Sequence, residues 1–180
     1  MPTSTSQKTS SNASQLPSRS PTLLLGIDPG LAATGWGTLD REGKVAACGT
    51  IRTSPGPAGV RLLHIVCELR AVLAAHPIQE AALEELFVGR NATSAIGVAQ
   101  ARGAILATLA AADLPVYEYK PAQVKSVLTG YGMADKAQMA RMLALQVRTD
   151  ARLDDHAADA LAIALCHVRS RRLRQQLSAP

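Results

Sequence analysis

Hydrophobic residues occur along the chain both in short continuous runs and at helical spacing, and this mixture predicts an α/β fold. Residues 22–28 form an apolar run that stops at a Pro-Gly pair, which predicts a buried central strand. Two further strands are expected over residues 35–40 and 45–52, joined by a turn at residues 41–43. The domain is therefore expected to open with a three-stranded antiparallel meander.

After this meander, apolar residues recur at the spacing typical of helices. The pattern predicts an α/β sheet with mixed strand directions and right-handed crossovers, so that a site should lie at the carboxyl ends of the parallel strands. The remaining predicted elements are a helix over 59–75, a strand over 81–84, a helix over 93–112, a strand over 114–119, a short helix from Pro121, a helix from Asp135 through 148, and a last helix from 154 toward 174.

The 180 residues are enough for one domain with a sizeable core. Residues 1–21 are mostly Ser, Thr, Pro, Asn and Gln and predict a disordered extension. Residues 22–168 are expected to form the folded domain and residues 169–180 a basic tail. Aromatic residues make up only 3% of the chain, which excludes binding by stacking on many aromatic side chains.

Charge is distributed unevenly along the chain. The formal net charge is +5, which favours an anionic partner. All acidic residues lie between Asp28 and Asp159, however, and residues 22–168 contain 13 basic against 14 acidic residues. Any affinity of the folded domain for nucleic acid must therefore depend on a few well-placed cations, with the basic ends adding salt-sensitive attraction.

Three cysteines without CxxC spacing fit reduced thiols better than a disulfide framework. No apolar run approaches the length of about 18 residues that a bilayer span requires, and no secretory signal is recognisable. We expect a cytoplasmic protein.

Carboxylates end two of the predicted strands. Asp28 closes the first apolar run and Glu84 closes another. An unpaired charge at the edge of a buried sheet is costly unless a cation or several donors meet it. An Asp before Pro-Gly is also a common turn acceptor, and that alternative would be preferred if Asp28 stood alone.

The last predicted helix adds His156 and Asp159, which project from one face because they are three residues apart. Asp155 lies near the same face, so helix geometry leaves open whether Asp155 or His156 acts together with Asp159. We interpret Asp154 and Asp155 as helix N-cap residues with a favourable position in the helix dipole.

Such a set of acidic residues would repel one another without a metal. Small carboxylates suit Mg²⁺ or Mn²⁺, and two ions could clamp the attacking and leaving oxygens of a phosphodiester. A basic protein with these carboxylates points to phosphoryl chemistry on nucleic acid. No Gly-rich phosphate loop, Ser-His-Asp signature or metal-binding Cys cluster competes with this interpretation.

Five sequence blocks, taken together and in this order, resemble the RuvC family of crossover junction endonucleases. The resemblance extends over nearly the whole segment 22–168. The blocks are Gly-Ile-Asp-Pro-Gly at 26–30, Thr-Gly-Trp-Gly at 34–37, Leu-Glu-Glu-Leu-Phe at 83–87, Gln-Ala-Arg-Gly at 100–103 and His-Ala-Ala-Asp-Ala-Leu-Ala at 156–162.

The resemblance implies a ribonuclease H-like fold of the retroviral integrase superfamily, with a mixed five-stranded sheet flanked by helices. It also implies a homodimer with one active site per subunit. The implied function is resolution of Holliday junctions, that is four-way junction DNA, by paired symmetric nicks in homologous recombination and DNA repair. Cooperation with the RuvA–RuvB branch-migration complex is expected on the same ground.

Family roles carry over to Asp28, Glu84 and Asp159 as catalytic, metal-binding carboxylates, with His156 at the fourth position. Many members have Asp at this position and some have His. The resemblance implies two Mg²⁺ ions per active site, and the imidazole suggests that Mn²⁺ can substitute. His156 would either ligate metal or orient the attacking water.

The resemblance also suggests DNA contacts. Phe87, the only Phe in the chain, is expected to stack on bases near the crossover, with a core Phe as the alternative. Lys136 is expected in the first turn of a helix, where the helix dipole disfavours a cation, and a DNA phosphate placed there would remove this conflict. Lys125 and Arg90 are expected to contact phosphates too, with a solvated helix face as the alternative for Lys125.

Two alternatives remain open at this point. The first is another ribonuclease H-like nuclease that acts on RNA or on a different DNA structure. The second is a non-catalytic junction-binding subunit, against which the complete set of acidic residues argues.

Overall fold

The computed structural model of the protein describes residues 22–85, 92–149 and 152–177. Within these ranges a five-stranded sheet is flanked by five helices, in the predicted order of elements. The elements are β1 (Leu23–Asp28), β2 (Ala33–Leu39), β3 (Val45–Arg52), α1 (Ala58–Ala75), β4 (Ile78–Glu84), α2 (Ala92–Ala111), β5 (Val116–Tyr119), α3 (Pro121–Thr129), α4 (Lys136–Gln146) and α5 (Asp155–Leu177).

The sheet has the strand order β3-β2-β1-β4-β5. β1, β2 and β3 pair antiparallel and form the predicted meander, whereas β4 and β5 extend the sheet from β1 in parallel. The mixed α/β sheet is thus confirmed. The apolar sequence of β1 is explained by its central position, because a strand with neighbours on both sides and helices on both faces is buried throughout.

Two hydrophobic cores lie on opposite faces of this sheet. Leu25 and Ile27 of β1 point to the core formed with α1 and α2, and both are fully buried. Leu24 points to the core formed with α3, α4 and α5. Because side chains alternate along a strand, Asp28 shares the face of Leu24 and therefore points toward α5.

Glycines bring α5 unusually close to the sheet. A Cβ atom on Gly26 would collide with the carbonyl oxygen of Ala160 and lie 2.6 Å from the amide nitrogen of Ala164. A Cβ atom on Gly35 would collide with the carbonyl group of His156, and one on Gly37 would lie 2.5 Å from a methyl carbon of Leu161. The backbone of α5 therefore rests directly on β1 and β2.

α5 continues past position 168, where the sequence predicted the folded domain to end. Arg169 donates to the carbonyl oxygen of Val127 at 3.0 Å. Arg171 pairs with Glu80 of β4 at 2.6 Å. These arginines therefore hold α5 against α3 and the sheet, in a region that we had expected to be a separate basic tail.

A buried histidine links three elements near the far end of α5. His167 is fully buried, and its Nδ1 atom lies 2.7 Å from the hydroxyl oxygen of Tyr119 in β5. Its Nε2 atom lies 2.8 Å from a carboxylate oxygen of Glu80 in β4. We define Glu80, Tyr119 and His167 as the buried triad; it ties α5 to both strands. None of the helices in the described ranges combines the length and the apolarity that crossing a membrane would need.

Candidate active site

Two acidic residues stand side by side at one edge of the sheet. β1 and β4 run parallel with Ile27 aligned to Leu83, the residues directly before Asp28 and Glu84. Both carboxylates therefore emerge at the carboxyl ends of adjacent parallel strands and on the face that α5 covers. This is the edge at which the sequence predicted a site.

α5 completes this arrangement. Its first turns lie over Gly35 and Gly26, which places Asp159 beside the two strand ends. Asp28, Glu84 and Asp159 line one cleft of about 210 Å³. The other lining residues come from α3, α4 and α5, and they are Pro121, Val124, Lys125, Lys136, Met139, Ala162 and Ile163.

His156 lies against Asp28. Its Nδ1 atom donates to Oδ2 of Asp28 at 3.2 Å, and the side chains are 41% and 25% exposed. The structure thus brings together all four predicted site residues at the ends of two adjacent strands. His156 therefore contacts a carboxylate. This contact is compatible both with ligation of a metal by His156 and with orientation of a water molecule by it.

Burial raises the pKa values of the three carboxyl groups, and repulsion by neighbouring carboxylates adds to the rise at Glu84 and Asp159. The pKa of Glu84 rises from 4.5 to about 7, first because of burial and then because of the negative charges of Asp28 and Asp159, with Lys125 opposing the rise. Burial also raises the pKa of Asp28, against a hydrogen bond from His156. Burial and the charge of Asp28 raise the pKa of Asp159. Such a cluster favours either protons or cations.

Lys136 occupies the first turn of α4, as predicted, but its present partners are carboxylates. Its Nζ atom lies 2.9 Å from Asp155 and 3.9 Å from Asp159. The conflict with the dipole of α4 is thus relieved within the protein, where the sequence had suggested a phosphate. Its ammonium group supplies the cleft with one positive charge.

Asp154 and Asp155 take different roles at the start of α5. Asp154 caps the helix by accepting from the amide of Ala157 at 2.9 Å, as predicted. It also accepts from Thr50 and Arg52 of β3, which fixes α5 to the meander. Asp155 is directed to Lys136, so the capping role expected for it falls to Asp154 alone.

No group of three or more His, Cys, Asp or Glu side chains in the described ranges is arranged to hold a metal ion as it stands. Lys125 lines the cleft, and its contact with DNA phosphates stays a prediction. Phe87 and Arg90 lie outside the described residues.

Sequence reasoning missed the glycines under α5 and the buried triad. The signal for the glycines was present, since Gly35 and Gly37 alternate in β2 and Gly26 interrupts β1. Alternating glycines on one face of a strand mark a close approach of another backbone. His167 and Glu80 are far apart in sequence, and no local pattern joins them.

A five-stranded sheet of this topology, with acidic residues at the ends of two central strands and on the last helix, defines a ribonuclease H-like protein. The family model described as "Crossover junction endodeoxyribonuclease RuvC" matches residues 24–167. The chain belongs to the RuvC family, and it is a nuclease.

Curated relatives and solved structures agree with this assignment. RuvC of Chloroflexus aggregans is 50% identical over 149 residues, which cover 79% of this chain and 90% of the relative. RuvC of Coxiella burnetii (strain Dugway 5J108-111) is 42% identical over 158 residues, covering 86% and 92%. The structure titled "T. thermophilus RuvC in complex with Holliday junction substrate" is 34% identical with a TM-score of 0.79, covering 85% of this chain and 96% of that one.

A more distant structure shares the fold alone. The yeast mitochondrial Holliday junction resolvase Ydc2 is 11% identical with a TM-score of 0.64, and the match covers 87% of this chain and 83% of Ydc2.

Proposed function

We propose that the protein resolves Holliday junctions by paired symmetric nicks, in homologous recombination and DNA repair. The observation that carries the proposal is the cleft in which three carboxylates, Asp28, Glu84 and Asp159, face two lysines, Lys125 and Lys136. Carboxylates can hold the cations that catalyse phosphodiester hydrolysis. Lysines can bind the phosphates on either side of the bond that is cleaved. The structure of a relative bound to a Holliday junction substrate supports the choice of DNA.

Divalent cations fit the chemistry of this donor set. The raised pKa values of Glu84 and Asp159 reflect burial of the carboxyl groups beside like charges, and cations would remove this conflict. Asp28, Glu84, His156 and Asp159 would hold two Mg²⁺ ions, with Mn²⁺ as a substitute. Bound there, the ions would neutralise the carboxylates and stabilise the charge that develops on the phosphate.

The chain's own residues have separate tasks in this mechanism. Lys125 and Lys136 bind backbone phosphates and hold the DNA strand across the cleft. Asp28 accepts a hydrogen bond from His156, which orients both side chains toward the scissile phosphate. Phe87 and Arg90, on the segment that follows Glu84, contact bases and phosphates near the crossover.

We propose further that the protein acts as a homodimer in the cytoplasm. A four-way junction presents two equivalent strands, so two symmetric sites are needed for paired nicks. Val60 and Leu63 of α1 and Ile96 of α2 are 65%, 62% and 61% exposed, and α1 packs against α2. An apolar surface of this kind favours a subunit contact. The RuvA–RuvB complex is the proposed partner that delivers the junction.

The experiment compares cleavage of a synthetic four-way junction and of a plain duplex with the same sequences. The wild-type protein with Mg²⁺ should produce two nicks at symmetric positions in the junction, and none in the duplex or in the presence of a chelator. Asp159→Asn should bind the junction without cutting it. Binding without cleavage by the wild type under all metals tested would instead support the non-catalytic alternative, and cutting of other DNA or RNA structures would support a different nuclease.

A further inference from the structure

A short loop that leads directly into Lys136, a residue of the cleft, exposes two large apolar side chains. Residues 130–135 join α3 to α4, and we call this segment the 130–135 loop. Tyr131 is 61% exposed and Met133 is 76% exposed. A tyrosine and a methionine two residues apart, both directed to solvent, are unusual on a short connection.

The loop is held in one conformation by its own hydrogen bonds. The hydroxyl group of Thr129 accepts from the amide of Tyr131 at 3.0 Å and lies 2.8 Å from the carbonyl oxygen of Lys125. The amide of Ala134 donates to the carbonyl oxygen of Tyr131 at 3.1 Å, and Ala134 is buried. Gly130 adopts a φ of 79°, which lets the chain leave α3 sharply.

The end of the loop is equally well fixed. Asp135 caps α4 in a reciprocal box with Gln138, with hydrogen bonds of 2.8 and 3.0 Å. Tyr131 and Met133 therefore stand on a rigid support rather than on a loose connection. Ordering such side chains against a ligand costs less conformational entropy than ordering a flexible loop.

Along the chain, the loop also lies between the two lysines of the cleft. Lys125 is on α3 before the loop and Lys136 is the first residue of α4 after it, and both line the cleft with the carboxylates. Phosphates bound by these lysines would carry the sugar and base between them past the loop. Tyr131 and Met133 would then contact the uncharged sugar and base.

We propose that Tyr131 and Met133 contact an unstacked base of junction DNA next to the scissile phosphate. The inference rests on the proposed function, since it takes the same DNA as the ligand of the cleft. Every base has an apolar face, so this contact needs no particular sequence. Bases of an intact duplex are already stacked on one another, and the contact therefore favours the junction over the duplex.

Binding measurements test this proposal in the cleavage-deficient Asp159→Asn protein. Tyr131→Ala combined with Met133→Ala should weaken junction binding by between about 5-fold and about 100-fold. Affinity for plain duplex should stay within about 2-fold. Tyr131→Phe, which keeps the ring, should bind the junction like the parent. Leu145→Ala removes a side chain that is 78% exposed on α4 outside the loop, and it should change neither affinity.

A crosslink locates the contact directly. A junction that carries 5-iododeoxyuridine at the crossover should crosslink on irradiation to a peptide that contains Tyr131, and Tyr131→Ala should abolish this product. Crosslinks to other peptides alone would overturn the inference, as would equal junction affinity of the double variant and the parent. A change from dimer to monomer in the double variant would also overturn it, because the loop would then contact a second copy of the chain.

The proposed junction cleavage and the proposed base contact can fail separately. A wild-type protein that does not cut a four-way junction would refute the proposed function, whatever the loop variants do. A wild-type protein that cuts junctions, with loop variants that bind and cut them equally well, would refute only the contact of the 130–135 loop with a base.

Discussion

The Nδ1 atom of His156 lies 3.2 Å from Oδ2 of Asp28, so the first strand and the last helix of the fold meet through one polar contact. The two residues are separated by nearly the whole domain in sequence. The contact joins the end of β1 to the first turn of α5, and it lies at the edge of the cleft that holds Glu84 and Asp159. This juxtaposition determines which substitutions should affect chemistry and which should affect stability.

Removing any one carboxylate of the cleft should abolish cleavage without abolishing binding. Asp28→Asn, Glu84→Gln and Asp159→Asn each lower the negative charge that cations require, which is worth several kcal/mol in the transition state. We expect the single-turnover cleavage rate of a four-way junction to fall by about 10³-fold or more. Glu42→Gln, in the exposed turn before β3, is the matched control and should cut at the rate of the wild type.

The pKa of about 7 for Glu84 predicts how stability depends on pH without metal. The folded state holds this proton more tightly than the unfolded state, so the stabilisation is present at low pH and is lost as pH rises from about 4.5 through 7. Glu84→Gln should therefore melt higher than the wild type at pH 8, by roughly 5 °C, and the difference should shrink toward pH 5.

Thermal unfolding in a chelator measures this effect. Adding Mg²⁺ should raise the melting temperature of the wild type at pH 8 and should affect Glu84→Gln much less. A difference between the two proteins that stays constant from pH 5 to pH 8 would contradict the assignment of the raised pKa to Glu84.

His156→Asp should change the response to metal. Imidazole favours Mn²⁺ relative to a carboxylate, so the variant should need more Mn²⁺ and work relatively better with Mg²⁺. The measurement is the cleavage rate of a four-way junction as a function of the concentration of each cation. The same dependence on Mn²⁺ and Mg²⁺ in the wild type and the variant would argue against a direct role of His156.

Gly35→Ala should destabilise the protein, because its Cβ would collide with the carbonyl group of His156. Overpacking of this kind costs about 1–3 kcal/mol or more in the free energy of unfolding, as measured by denaturant titration. Gly59→Ala in α1 is the matched control, since its added Cβ meets no atom within 4 Å beyond its chain neighbours and the backbone of its own helix. The control should be neutral or more stable by about 0.5–1 kcal/mol.

Tyr119→Phe tests the buried triad. It removes the 2.7 Å hydrogen bond between the tyrosine hydroxyl and His167, which should lower the free energy of unfolding by about 1–2 kcal/mol. Tyr131→Phe removes an exposed hydroxyl and should leave stability unchanged. Equal stability of the two variants would show that the triad contributes no net stabilisation.

Local patterns in the sequence sufficed to predict the elements of the fold. The apolar run before Asp28 predicted β1, and the spacing of His156 and Asp159 predicted their common helix face. The edge of the sheet that gathers them followed from the general rule that sites lie at the carboxyl ends of parallel strands. These predictions succeeded because the periodicity of hydrophobic residues and the ends of strands are determined by short segments of sequence.

Contacts between distant segments could not be predicted in this way. Lys136 stood out as a cation at a helix start, but its pairing with Asp155 depends on how α4 packs against α5. The last helix was predicted to run toward position 174, but its packing against the domain beyond position 168 depends on Arg169 and Arg171 finding partners on other elements. Such partners are set by tertiary packing, which a single sequence does not display.

The glycines beneath α5 have a further consequence for how the enzyme selects its substrate. With backbone resting on backbone at Gly26 and Gly35, α5 has no room to slide, since a shift of one residue would displace its side chains by about 1.5 Å and rotate them by about 100°. The helix therefore has a single register against the sheet. This register positions its two site residues, His156 and Asp159, in the absence of DNA. For the proposed junction substrate, discrimination against a duplex would then fall to the surfaces around the cleft.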